Sequence, residues 1–289
     1  MSEDQNPQTN CGSGGCSQDQ QGGASKFKEQ QILGSLAKIK HKLLIMSGKG
    51  GVGKSSVSAA LALQLAGSGY QVGLMDVDLH GPSLGGIMGG RGLLDISAEK
   101  KILPHRVGEG LKLVSMQALM QDSDQAVIWR GPAKSGVIRQ FVGDVEWGEL
   151  DFLLIDAPPG TGDEPLSVAQ TIPDASAVIV TTPQEVALSD VRKSINFCRV
   201  IQMAIAGLVE NMGPFPCPCC GQTLELFKSG GGRVTADQMG VAFLGTLPFD
   251  PNVVKACDAG RPLELRSSAA AFASAVADVT EKIIATLNR

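Results

Sequence analysis

The sequence predicts an α/β fold: a mostly parallel, doubly wound sheet with helices on both faces. Three observations predict it. A glycine-rich loop, Gly48 to Ser55, lies between the apolar run Leu43-Leu44-Ile45 and an Ala/Leu-rich helical stretch from about Ser56 to Leu65, which is a strand–loop–helix unit. Beyond it, apolar runs of strand length alternate with helical stretches, the order that gives parallel strands joined by crossover helices. Glycine makes up 36 of 289 residues and aromatics only 4%, so small side chains let helices lie close to a sheet.

Composition narrows the function classes. With 25 basic against 29 acidic residues the net charge is −4, which leaves no electrostatic footprint for nucleic acid or an anionic membrane surface. No apolar run approaches the roughly 18 residues of a membrane span. The opening Met1 to Pro7 is polar and acidic, unlike a signal peptide. A cytoplasmic location is therefore expected, and there the seven cysteines read as thiols, metal ligands or redox groups rather than a disulfide framework.

In chain order, residues 1–26 are rich in Gln, Asn, Ser and Gly and are expected to form a disordered tail carrying Cys11 and Cys16. Residues 27–289 form the ordered domain. Phe27 to Lys40 carries Ile32, Leu36 and Ile39 at helical spacing and leads into the first strand. The loop that follows, Gly48-Lys49-Gly50-Gly51-Val52-Gly53-Lys54-Ser55, with Ser56 after it, fits G-x-x-x-x-G-K-[ST]. Glycines let the backbone turn through positive φ and bring its N–H groups to phosphate oxygens, and the next helix turns its positive end to the same anion. Lys54 is expected to bridge the outer phosphates of ATP and Ser55 to sit on Mg2+. A chance glycine turn would lack the flanking strand and helix.

Gln71 to Met75 is the second strand, ending in Asp76-Val77-Asp78. Placed beside strand one, it would turn both acids to the phosphates, at the crevice where open α/β sheets bind ligands. His80 reads as a loop residue. Residues 84–110 look irregular, Leu111 to Ser115 is a strand, and Trp129-Arg130-Gly131-Pro132 opens a helix to about Val142. Spacing does not decide between a phosphate, partner or surface role for Arg130. Phe152 to Asp156 is an apolar strand ending in an aspartate, the magnesium-side acid of nucleotide hydrolases. The stiff Pro158-Pro159-Gly160 loop after it offers the Gly160 amide to a γ-phosphate, so it should sense ATP against ADP. Ala177 to Thr182, Ala204 to Glu210 and Val241 to Leu247 are further strands. A helix from Glu185 to Val200 separates the first two, and Asn211 follows the second directly. Phe272, Val276, Val279, Ile283 and Leu287 stripe a closing helix.

Cys217-Pro218-Cys219-Cys220-Gly221 lies within an insertion near residues 213–232. A C-x-x-C turn converges Cys217 and Cys220 on one point, suiting an iron–sulfur cluster, zinc or a redox disulfide. Zinc and [4Fe–4S] centres generally take four ligands, which two copies of the chain would supply. Cys198 and Cys257 read as buried free thiols.

The early lysine, Lys49, makes the loop resemble the signature-lysine (deviant Walker A) P-loop class of MinD, ParA and the nitrogenase iron protein, which implies an ATP-sandwich homodimer. More of the chain resembles the Mrp/ApbC-type iron–sulfur carriers, from about Lys42 to Pro262. Beside the phosphate loop, the shared motifs are Asp76-x-Asp78-x-x-Gly-Pro-Ser83, Trp129 to Pro132, Asp156 to Gly162, Glu210-Asn211-Met212, Cys217-Pro-x-Cys220-Gly, the Gly230 to Gly232 run and Leu247-Pro-x-Asp-Pro251. The resemblance implies that Asp78 positions the attacking water, Asp156 belongs to the magnesium shell and Asn211 contacts adenine. Cys217 and Cys220 would hold a [4Fe–4S] cluster between two subunits for delivery to apo-proteins. Two departures stand out: Cys219 occupies a position that is often histidine, and Cys11 and Cys16 fall short of the four-cysteine pattern of eukaryotic relatives. The alternatives are a MinD/ParA-like dimerising switch and a P-loop ATPase with a structural zinc. Ser268 to Arg289, with only Lys282 and Arg289 basic, lacks the basic amphipathic helix that a MinD-like membrane switch would carry.

Overall fold

The computed structural model describes residues 19–78, 81–90, 92–119, 131–217, 219–267 and 270–288. Cys11, Cys16, His80, Arg130 and the helix start expected at Trp129 lie outside them. Helix α1 (Asp19–Leu36) precedes β1 (Ile39–Ser47), and α2 (Lys54–Gly67) leads to β2 (Val72–Asp76). The short α3 (Leu84–Ile87), the two-residue β3 (His105–Arg106) and β4 (Leu111–Ser115) follow, then α4 (Gly131–Gly143), β5 (Leu150–Asp156), α5 (Asp163–Thr171) and β6 (Ser176–Thr181). Next come α6 (Glu185–Val200), β7 (Ala204–Gly213), the small strands β8 (Phe215–Pro216) and β9 (Thr223–Leu224), and α7 (Gly231–Met239). The chain closes with β10 (Phe243–Pro248), α8 (Pro251–Asp258), α9 (Glu264–Ser267) and α10 (Ala270–Leu287).

Among the described residues the main sheet has eight strands in the order β10-β7-β6-β1-β5-β2-β4-β3. All neighbours are parallel except β3 with β4. Successive residues of β1 point to opposite faces, and the packing follows. Leu43 and Ile45 join Val57, Leu61 and Leu65 of α2 and Phe272, Val276 and Val279 of α10. Leu44 and Met46 join Phe141, Trp147, Ile195 and Cys198 on the other face. Because helices cover both faces, the strands read as unbroken apolar runs. At about 25 cal/mol per Å² of apolar surface, each fully buried leucine or isoleucine here contributes about 2 kcal/mol. Ile32 and Leu36 of α1 are buried as their spacing predicts, but Ile39 begins the strand, paired with Leu150.

One expectation is corrected. β2 does not neighbour β1: β5 lies between them, with Ile45 opposite Asp156 and Asp156 opposite Asp76. Asp76 and Asp156 are thus side by side at the carboxyl end of the sheet. Neither is exposed at all, and of the two acids at the end of β2 it is Asp78, not Asp76, that lines the cavity beside the glycine loop. No helix among the described residues is long and apolar enough to cross a membrane.

Candidate functional site: a nucleotide cleft and a cysteine turn

The turn from β1 into α2 needs its glycines. Gly51 and Gly53 have φ of 79° and 78°, the left-handed region that other residues avoid. A Cβ on Gly53 would lie 2.4 Å from Asn211 Nδ2. The loop lines a cavity of about 310 Å³ with Lys49, Lys54, Ser55, Asp78 and Pro159 on its walls. It shares Gly53, Ser56, Ser83 and Ile87 with a second cavity of about 510 Å³, bounded by Asn211, Phe249, Asp250 and Cys257. The first has the size and donors for phosphates, and the second for a nucleoside.

Behind the phosphate cavity lies a buried charge network. Lys54 Nζ is 2.7 Å from Asp156 Oδ2, to which the Ser55 hydroxyl also donates, at 2.6 Å. Ser58 Oγ donates to Asp156 Oδ1 at 2.6 Å. The Asp76 carboxylate accepts from the N–H groups of Asp78 and Leu84 and from Ser115 Oγ. Burial first, and then the charge of Asp156, push the Asp76 carboxyl up to about 7. The sequence reading missed Ser58 and Ser115. Ser58 stands one helical turn beyond Lys54 and therefore on the same face, and Ser115 is in register with Asp76. Magnesium fits the donor set: the Ser55 hydroxyl on the cavity wall, with the Asp156 carboxylate behind it, offers the hard oxygens that this ion takes.

Asp78 reaches the cavity and accepts from Gly81 N–H at 3.1 Å. Lys49 is half-buried and makes no ion pair among the described residues. Gly160, at φ 91°, donates its N–H to Ser47 O at 2.8 Å, so this amide is engaged by β1 rather than turned to the cavity. Asn211 donates to Val52 O at 2.9 Å, tying β7 to the phosphate loop. Its neighbour Glu210, fully buried, points the other way and accepts from the N–H groups of Gly230 and Gly232, at the start of α7, and from Thr246 Oγ1.

Between these anchors lies the cysteine turn. β8 and β9 pair antiparallel, and the turn closes by Cys217 N–H to Gln222 O at 2.8 Å and Gly221 N–H to Cys217 O at 2.9 Å. The backbone N–H groups of Cys219 and Cys220 point at the Cys217 sulfur and hold its thiol below the ordinary range. Cys219 and Cys220 are exposed. Cys198, by contrast, is fully buried, and burial pushes its thiol up to about 11. Burial also raises the Cys257 thiol, which meets Ser56 Oγ at 3.6 Å. No three His, Cys, Asp or Glu side chains among the described residues are arranged to hold one metal ion.

A family model described as ParA, NUBPL iron-transfer P-loop NTPase, matches residues 38–284. The chain belongs to this family. As a member of the NUBPL-type P-loop NTPases it is an ATP hydrolase. It is 44% identical over 259 residues to a protein of Methanocaldococcus jannaschii named iron-sulfur cluster carrier protein, covering 89% of each chain. To a Dictyostelium discoideum protein named cytosolic Fe-S cluster assembly factor NUBP2 homolog it is 50% identical over 222 residues, 75% of this chain and 83% of that one. A solved nucleotide-binding protein of Archaeoglobus fulgidus, in complex with ADP and with cobalt found, superposes with a TM-score of 0.72 at 40% identity, covering 82% of this chain and 93% of that one. The cell division ATPase MinD of Pyrococcus furiosus, at 23% identity and a TM-score of 0.63, shares the fold.

Proposed function

We propose that this NUBPL-type NTPase is an ATP-driven carrier that holds a [4Fe–4S] cluster between two copies of itself and passes it to apo iron–sulfur proteins in the cytoplasm. The observation that carries this reading is the arrangement of β7. Its Asn211 touches the phosphate loop, and the same strand runs directly into a turn with a pinned Cys217 and two exposed thiols. The names of the relatives, iron-sulfur cluster carrier and cytosolic assembly factor, support the same reading. The described residues of one copy do not offer the full ligand set of a cluster, and a second copy would add its own Cys217 and Cys220.

In this reading Lys54 leaves Asp156 for the outer phosphates, and Ser55 with Asp156 holds Mg2+. The ion, when bound, neutralises charge on the phosphates. Asp78 positions the attacking water, Asn211 borders the adenine, and Lys49 reaches the partner's nucleotide. The Gly160 N–H turns to the γ-phosphate only by giving up Ser47 O, so the 158–160 loop has two alternative partners. Cluster transfer is the test. Chain loaded anaerobically with iron and sulfide should activate an apo iron–sulfur protein, and Cys217→Ala should neither hold iron nor transfer it. Zinc in place of iron and sulfide in the anaerobically purified protein would make the turn structural.

A further inference from the structure

The cysteine turn contains one more thiol than the proposed pair, and the three differ in how they are held. Cys217 is half-buried, its backbone is fixed on both sides by Gln222 and Gly221, and its sulfur receives two backbone N–H groups. Cys219 and Cys220 have exposed side chains in the same turn, two and three residues beyond Cys217. All three are not arranged around a single ion. The geometry is therefore one fixed sulfur with two alternative neighbours, each able to swing about its χ1 torsion without moving the backbone.

We propose that Cys219 is an exchange ligand for the cluster: it replaces Cys220 on iron while Cys217 stays bound. The inference rests on the carrier reading above and adds a residue to it. In the exchange the Cys219 thiol releases its proton to water and its sulfur bonds iron. The iron–sulfur bond to Cys220 breaks, and the Cys220 thiolate takes up a proton. Iron and sulfide keep their oxidation states, so no electron donor or acceptor is needed. A cluster whose second ligand exchanges within the turn presents an iron that a recipient's thiolate can enter in small steps, without the whole site opening at once.

Four variants of the full chain test this: Cys217→Ser, Cys219→Ser, Cys220→Ser and the double Cys219→Ser/Cys220→Ser. Each is reconstituted anaerobically with ferrous iron and sulfide, and ADP affinity serves as the check that the fold is intact. Cys220→Ser is expected to keep about half or more of the parent's iron, with a shifted visible absorption spectrum, because Cys219 takes its place. The double variant should fall to background. Cys219→Ser should bind iron like the parent but transfer it to an apo-protein several-fold more slowly. Cys220→Ser as empty as the double variant, or a double variant as full as the parent, would overturn the exchange. Iron absent from the parent, or fully retained by Cys217→Ser, would overturn the carrier reading itself and the exchange with it.

Discussion

At the scale of single residues, the site is a problem of charge in a buried place. Lys54 is 7% exposed and pairs with a carboxylate that is not exposed at all, so it stabilises the nucleotide-free fold in addition to its proposed role on the phosphates. Removing one partner of such a pair typically costs about 3–5 kcal/mol, and Lys54→Ala should therefore lose both turnover and thermal stability. Asp78→Asn is the cleaner probe of chemistry. It should lower kcat about 10²-fold, the scale of a lost proton-handling group, while ADP affinity by calorimetry stays unchanged. Asp76 gives a pH signature. Its carboxyl is raised from 3.8 to about 7, so between those values the folded chain keeps a proton that the unfolded chain has lost. The stability it contributes is complete below 3.8 and is lost as pH rises through 7. Asp76→Asn removes that loss. Its melting temperature relative to the parent's should rise between about pH 4 and about pH 7, and a difference that is flat with pH would contradict the raised carboxyl.

At the scale of elements, β7 is the link between the two sites. Asn211 on one side holds Val52 O, and Glu210 on the other holds the first N–H groups of α7, beyond the cysteine turn. Glu210→Ala would strand those buried N–H groups, costing about 1–3 kcal/mol. Iron retention measured after anaerobic desalting should fall while ADP affinity changes little. Equal loss of both would mean that β7 fails as a whole. Much of this was legible in the sequence: β4 and α6 match their expected bounds, because apolar alternation and helical spacing are local properties. α7 was not legible, since it opens with Gly231-Gly232, which reads as loop. Those glycines are required by packing: a Cβ on Gly231 would lie 2.6 Å from Leu188 Cδ1, and one on Gly232 2.9 Å from Glu210 Oε2. α5 was missed because nine residues containing Pro165 make no long stripe, although Asp163 and Glu164 in its first turn were a usable signal. Strand order was illegible for a different reason. The slot that β5 takes between β1 and β2 depends on where each crossover lands, and no local pattern records it.

At the scale of the whole molecule, the account requires two copies. Lys49 lines the phosphate cavity without an ion pair among the described residues, which suits a side chain that completes its contacts on a partner's nucleotide. Lys49→Ala should leave ADP binding by the single chain intact and abolish the shift to a dimer on gel filtration with ATP and Mg2+. A variant that dimerises like the parent would remove Lys49 from the interface. Nucleotide and cluster are then linked also through how the two copies meet, and ATP shifts cluster affinity by the same factor as the cluster shifts ATP affinity. The central claim, a cluster shared between two chains, is tested most directly by native mass spectrometry of the anaerobically reconstituted protein. The account predicts a species of two chains carrying one [4Fe–4S] cluster, about two iron and two sulfide atoms per chain, that is lost in Cys217→Ala. A cluster carried whole by a single chain, or zinc in the turn with no sulfide, would contradict it.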